Sequence, residues 1–107
     1  VKGEPSEAEG IGQYRVTNNV EPSLVDFSYH ITDYKAFELL YKMVKTEGLF
    51  LGSSSGVNVA GAIEMAKEMG PGKNIVTILC DDANKYFSKL YNKNYLLSKK
   101  LPVPDWL

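Results

Sequence analysis

Apolar residues recur with two different periods along this 107-residue chain, and each change of period marks an element. Val25, Phe27, Tyr29 and Ile31 fall on alternate positions, which predicts a strand over Leu24 to Ile31. Thr32-Asp33 is a helix-start pair. Ala36, Leu39, Leu40, Met43 and Val44 then recur at helical spacing until Gly48 stops the helix. Leu49-Phe50-Leu51 predicts a short buried strand. A second helix, beginning near Val57, sets Val59, Ala62, Ile63 and Ala66 on one face and Glu64, Lys67 and Glu68 on the other. Gly70-Pro71-Gly72 ends it. Ile75-Val76-Thr77-Ile78-Leu79 is apolar without alternation, as in a parallel strand covered on both faces. Asp81-Asp82 precedes a helical stretch around Tyr86–Tyr91. The last seven residues, with Pro102 and Pro104, predict an extended tail, and the first 23, with Gly3, Pro5, Gly10, Gly12 and Pro22, read as loop. Alternating strands and helices predict one α/β domain, a parallel sheet with helices on both faces. Ligands of such sheets bind beyond the carboxyl ends of strands. The serine turn Gly52-Ser53-Ser54-Ser55-Gly56 and the run Cys80-Asp81-Asp82 both lie at such ends, so they are candidates for one cleft.

Charge and composition narrow the partners. Twelve basic against thirteen acidic residues leave a net charge of −1, which offers no electrostatic footprint for nucleic acid or a membrane surface. One cysteine, Cys80, excludes an internal disulfide framework and suits a reducing compartment. One Cys and one His are too few for an ordinary structural zinc site. No apolar run approaches the ~18 residues of a membrane span. The chain starts at Val1 with nine polar, loop-like residues, which leads us to expect a chain entered partway, with an N-terminal portion upstream.

Small and hydroxyl residues between a strand and a helix put hydroxyls and unpaired backbone N–H groups at a helix N-terminus, where anions and polar cofactor edges are held. Three other readings compete. The serines can simply cap the helix. The spacing also fits the G-x-S-x-G nucleophile elbow, but that needs an acid and then a histidine after Ser54. The only histidine, His30, precedes it, so no triad can be completed here. A dinucleotide turn wants a third glycine and an acid ~20 positions on, and this turn offers only Gly52 and Gly56.

Several segments together resemble one family. Glu9-Gly10-Ile11-Gly12-Gln13-Tyr14-Arg15-Val16-Thr17 is similar to the E-G-I-G-Q-G-R-V-T segment of the cysteine synthases (O-acetylserine sulfhydrylases). Residues Gly52 to Ala62 resemble that family's G-x-S-S-G-x-N-V-A-G-A segment. Ile78-Leu79-Cys80-Asp81, Lys85-Tyr86, Ser88-Lys89-Leu90 and the closing Leu-Pro-Val-Pro-Asp-Trp-Leu resemble one bacterial and fungal branch. The resemblance runs from about Ser6 to Leu107. It implies the second fold type of pyridoxal 5'-phosphate (PLP) enzymes, with residues 1–107 as a C-terminal segment of the cofactor-bearing domain.

By that resemblance, Ser54 meets the pyridine nitrogen of PLP, with Ser55 one register step away as the alternative, and Gly10 is the glycine whose backbone passes close to cofactor and substrate. A hydroxyl can donate to a neutral pyridine nitrogen but, unlike a carboxylate, cannot hold it protonated. The implied reaction is β-replacement, in which O-acetyl-L-serine loses acetate and sulfide adds to give L-cysteine. The Schiff-base lysine, the asparagine loop and the phosphate loop belong to upstream family motifs, so no catalytic residue is assigned here and the segment alone is expected to be inactive. The resemblance also implies a cytoplasmic homodimer. Alternatives are a cystathionine β-synthase-type enzyme and a non-catalytic α/β fragment acting as a binding module.

Some positions depart from the pattern or carry no assigned chemistry. Tyr14 stands where relatives often have glycine. Ala83 also replaces a usual glycine and would be strained if φ there were positive. Asp81 can line the cleft or cap a helix. Cys80 reads as packing, His30 as a strand residue, and Tyr86, Phe87, Tyr91 and Tyr95 as core or interface.

Overall fold

The computed structural model describes residues 6–7 and 25–107. Helix α1 (Asp33–Glu47) begins where the sequence places it. Thr32 is extended, and its hydroxyl accepts from the Lys35 amide. At the other end Gly48 turns left-handed with φ 67° and returns its amide to Met43 and Val44, a conformation that glycine adopts without a Cβ penalty. Helix α2 (Ser53–Met69) starts four residues before the predicted position, so the three serines form its first turn rather than a loop before it. Its N-cap is Gly52, which has no side chain to offer. The capping reading of the serines is therefore not realised. Gly70 ends α2 as expected.

The two helices cross closely at Gly56. A Cβ there would lie 2.6 Å from the Ala36 carbonyl oxygen and 2.7 Å from Leu40 Cγ. Absence of a side chain lets the backbones approach and buries Ala36, Phe37, Leu40, Tyr41 and Met43 along one side of α1. Leu90, Leu96 and Leu101 complete this core from the C-terminal side. Leu96 comes from a short helix absent from the sequence reading, α3 (Lys93–Ser98), whose N-cap Asn92 accepts from the Tyr95 amide. The stretch predicted as helix around Tyr86–Tyr91 is instead a 3-10 turn over Asn84–Tyr86 followed by further turns.

The predicted strands differ more. Among the described residues no ladder forms, and the β-bridge present is antiparallel, Leu51 with Asp82. Residues 25–31 and 75–79 run without a strand partner there. Strand hydrogen bonds come from neighbours in space, and these segments find none among the described residues. Their side chains stand open: Val76 is 91% exposed and Phe27 74%. His30 is exposed in the first of these segments.

An aromatic cluster extends the core around Tyr41 and Tyr91. Phe50 stacks on Tyr91 with centroids 4.4 Å apart, and Tyr41 meets Tyr91 and Trp106 edge-on at 5.9 and 6.0 Å. The buried Tyr41 hydroxyl donates to the Leu90 carbonyl at 2.5 Å. Burial, with a smaller contribution from Tyr91, pushes this phenol far above the usual tyrosine range. Burial alone raises Tyr91 to about 12. The tail is non-helical as expected, with a turn at Asp105-Trp106.

Candidate functional site

Four hydrogen bonds fasten the stretch from Phe50 to Asn58, which contains the serine turn, to residues 78–83. The Gly52 amide donates to the Asp81 carbonyl at 3.0 Å, and the Ala83 amide donates to the Phe50 carbonyl at 3.2 Å. The Cys80 amide donates to Ser55 Oγ at 3.1 Å. Asn58 Nδ2, one turn further along α2, donates to the Ile78 carbonyl at 2.9 Å. The two strand ends singled out in the sequence therefore do come together, as one clasp around the N-terminus of α2.

The three serines separate by environment. Ser53 is 3% exposed and Ser55 is fully buried with its oxygen engaged by Cys80. Ser54 is partly exposed, and its hydroxyl makes no hydrogen bond among the described residues. Gly10 lies outside the described residues, as do Gly12 and Tyr14. Nearest to them in the chain, Ser6 donates to Asp33 Oδ1 at 2.6 Å and the Glu7 amide to Oδ2 at 2.7 Å. Glu7 also accepts from the Tyr95 hydroxyl at 2.6 Å, which holds its carboxyl below the usual carboxylate range, with Lys99 helping.

The two adjacent acids have different tasks. Asp82 folds back on the chain ahead of the 3-10 turn, its Oδ1 accepting from the Asn84 amide two residues on at 3.0 Å. Asp81 turns toward the serine turn. Its Oδ2 accepts from the Tyr86 hydroxyl at 2.6 Å, while its Oδ1 is buried without a hydrogen-bond partner among the described residues. A Cβ on Gly52 would sit 2.3 Å from that oxygen and 2.7 Å from Tyr86 Cε2. Gly52 is glycine because the acid and the tyrosine ring fill the space a side chain would need. Sequence reasoning leaves Asp81 between two roles and takes Tyr86 for core or interface, without joining them. The five-residue spacing across a 3-10 turn is the signal that pairs them. Ala83 has φ −80°, so the anticipated strain is absent. Cys80 is exposed rather than packed and forms no disulfide among the described residues; its Sγ accepts from Asn58 Nδ2 at 3.6 Å.

As a donor set, this clasp presents the partly exposed Ser54 hydroxyl, unengaged among the described residues, on the first turn of a 17-residue helix. That fits a neutral acceptor such as an aromatic ring nitrogen.

Comparison with known proteins gives a consistent result. Residues 1–81 match the family described as pyridoxal-phosphate dependent enzyme. The chain is 44% identical over 99 residues to Cysteine synthase 2 of Schizosaccharomyces pombe, covering 91% of this chain and 25% of that protein. It is 45% identical over 95 residues to Cysteine synthase 1 of Emericella nidulans, covering 87% and 26%. Among solved structures, an O-acetylserine dependent cystathionine beta-synthase from Helicobacter pylori superposes with a TM-score of 0.74 at 35% identity, over 80% of this chain and 28% of that one. The chain spans about a quarter of the length of the curated relatives it matches. Its helices and extended segments are part of the fold-type II α/β architecture, and the chain belongs to the pyridoxal-phosphate dependent enzyme family.

Proposed function

We propose that these residues form the C-terminal segment of a PLP-dependent cysteine synthase, which makes L-cysteine from O-acetyl-L-serine and sulfide. The carrying observation is Ser54: a hydroxyl with no partner among the described residues, on the first turn of α2, in a chain 44% identical to a cysteine synthase. Ser54, rather than the buried Ser55, donates to the pyridine nitrogen, and Gly10 gives the backbone approach. PLP supplies the electron sink that lets acetate leave and sulfide add. The chain's own contribution is to orient the ring. A neutral hydroxyl holds the nitrogen without protonating it, and the positive end of α2 disfavours a charge there. The Schiff-base lysine and the groups that grip phosphate and carboxylate come from the longer protein. That protein works as a cytoplasmic homodimer, a setting that suits a lone unpaired thiol.

The test uses the full-length protein. Cysteine formation from O-acetyl-L-serine and sulfide is expected, and Ser54→Ala should lower kcat/KM about tenfold or more while Ser54→Thr keeps most of it. Cell fractionation and light scattering check compartment and dimer. A second reading, cystathionine β-synthesis with homocysteine as acceptor, is favoured by the 40% identity to an O-acetylserine dependent cystathionine beta-synthase of Bacillus subtilis. Faster turnover with homocysteine than with sulfide would select it. Absence of both activities in a protein that binds PLP would leave the chain as a binding module.

A further inference from the structure

We propose that Asp81 is a positioning residue that, held by Tyr86 and pressed on Gly52, sets where the Ser54 hydroxyl points; this rests on the assignment of Ser54 to the cofactor ring. Three observations carry it. The Asp81 carbonyl receives the Gly52 amide, so the residue grips the N-cap of α2 by its backbone. Its side chain then fills the space over the same glycine, with Oδ1 buried and unpartnered among the described residues and Oδ2 fixed by the Tyr86 hydroxyl at 2.6 Å. Ser54 is two residues further on, inside the first turn of that helix.

An unpartnered buried carboxyl oxygen is costly. A purely structural plug of this size would be apolar and avoid that cost. At this position the acid instead meets the partial positive charge of the α2 N-terminus, and Tyr86 keeps it from rotating toward solvent. Gly52 has no side chain of its own to resist a shift. Losing the Asp81–Tyr86 pair therefore leaves the N-cap held by the backbone bond alone, and the hydroxyl two residues on shifts with it. Hydrogen bonds to a ring nitrogen depend steeply on alignment, so a small displacement is enough to be read.

The experiment uses the full-length, PLP-bound protein with Asp81→Ala, Asp81→Asn, Tyr86→Phe, Ser54→Ala and the double variant Ser54→Ala/Asp81→Ala. The readouts are the visible absorption and fluorescence of bound PLP and the separate values of kcat and KM. Asp81→Ala and Tyr86→Phe should move the cofactor spectrum in the same direction as Ser54→Ala and lower kcat about fivefold, with KM for the amino-acid substrate unchanged. Asp81→Asn, which keeps the shape and an acceptor for Tyr86, should recover at least half of that loss. In the Ser54→Ala background, Asp81→Ala should add almost nothing, because its effect runs through that hydroxyl. Full additivity, or an unchanged spectrum in both Asp81→Ala and Tyr86→Phe, overturns the proposal while leaving Ser54 in place. A Ser54→Ala protein with an unaltered PLP spectrum removes both assignments together. If Asp81→Ala does not fold, the spectrum and kcat of Tyr86→Phe decide the matter on the same terms.

Discussion

The two sides of α2 are unlike each other. On one side, α1, α3 and the aromatic tail enclose a core in which Phe37, Leu40 and Leu96 are almost fully buried. On the other, residues 25–31 and 75–79 carry Val25, Phe27, Val76 and Ile78 into the open. Both regions carry apolar residues in the sequence. The closed side is built from helices whose hydrogen bonds are internal, so they need neighbours only for their side chains. The open side is built from segments with strand character, which need neighbours for the backbone as well. The start of α2 lies on the seam, tied to residues 78–83 at the end of the open side by four hydrogen bonds and packed on the closed side through Gly56.

The largest effects are therefore expected on the closed side. Phe37→Ala should destabilise the fold by about 3–5 kcal/mol, because a fully buried ring leaves a cavity that the helices cannot close. Gly56→Ala should follow at about 1–3 kcal/mol, since its Cβ would meet the Ala36 carbonyl and Leu40 at under 3 Å. Denaturant titration measures both. Values below about 1 kcal/mol at both sites would erase the contrast between the two sides.

Tyr41 sharpens the comparison through pH. Its buried hydroxyl satisfies the Leu90 carbonyl, so Tyr41→Phe should cost about 1–3 kcal/mol at neutral pH by leaving that acceptor unpaired. The sign of the pH effect follows from the upward displacement of the phenol from its ordinary 10.0. Above that value the unfolded chain releases a proton that the folded one keeps. The contribution is complete below about pH 10 and is lost as pH rises beyond it. Tyr91, raised to about 12, adds in the same window. The stability of the parent protein should fall from about pH 10 upward, and Tyr41→Phe should flatten that fall. Equal alkaline slopes in the two proteins would show that Tyr41 is not the buried phenol responsible.

What the sequence discloses follows the same divide. The ends of α1 are legible because Thr32 and Gly48 act within a few residues of themselves, and Gly70-Pro71-Gly72 is equally local. Helix α3 escapes a reading by pattern because six residues are too few to show a period, and its only sign is the Asn92 cap. The strands are legible as apolar runs, but pairing is a property of distant neighbours, so the sequence cannot show which edges stay open. At the site, the turn and the acid run stand out, yet three consecutive serines are alike on paper. The Cys80 amide distinguishes Ser55 from Ser54, and Tyr86 distinguishes Asp81 from Asp82. Both are contacts around the clasp that no hydrophobic period encodes.

The smallest expected effect lies on the open side and tests what covers it. Val76 touches little, so Val76→Lys should change the stability of the 107-residue chain by no more than about 0.5 kcal/mol, as exposed substitutions do. It should also reduce aggregation of that chain, since a charge interrupts an apolar, unpaired edge. In the full-length protein the proposed sheet covers residues 75–79 on both faces. A lysine buried there must lose its hydration or distort the packing, and the same substitution should cost several kcal/mol. Melting the two pairs of proteins side by side isolates the difference. If Val76→Lys is as mild in the long protein as in the short one, residues 75–79 are not a central strand. The openness of this side would then belong to the protein itself, with no neighbouring strands to close it.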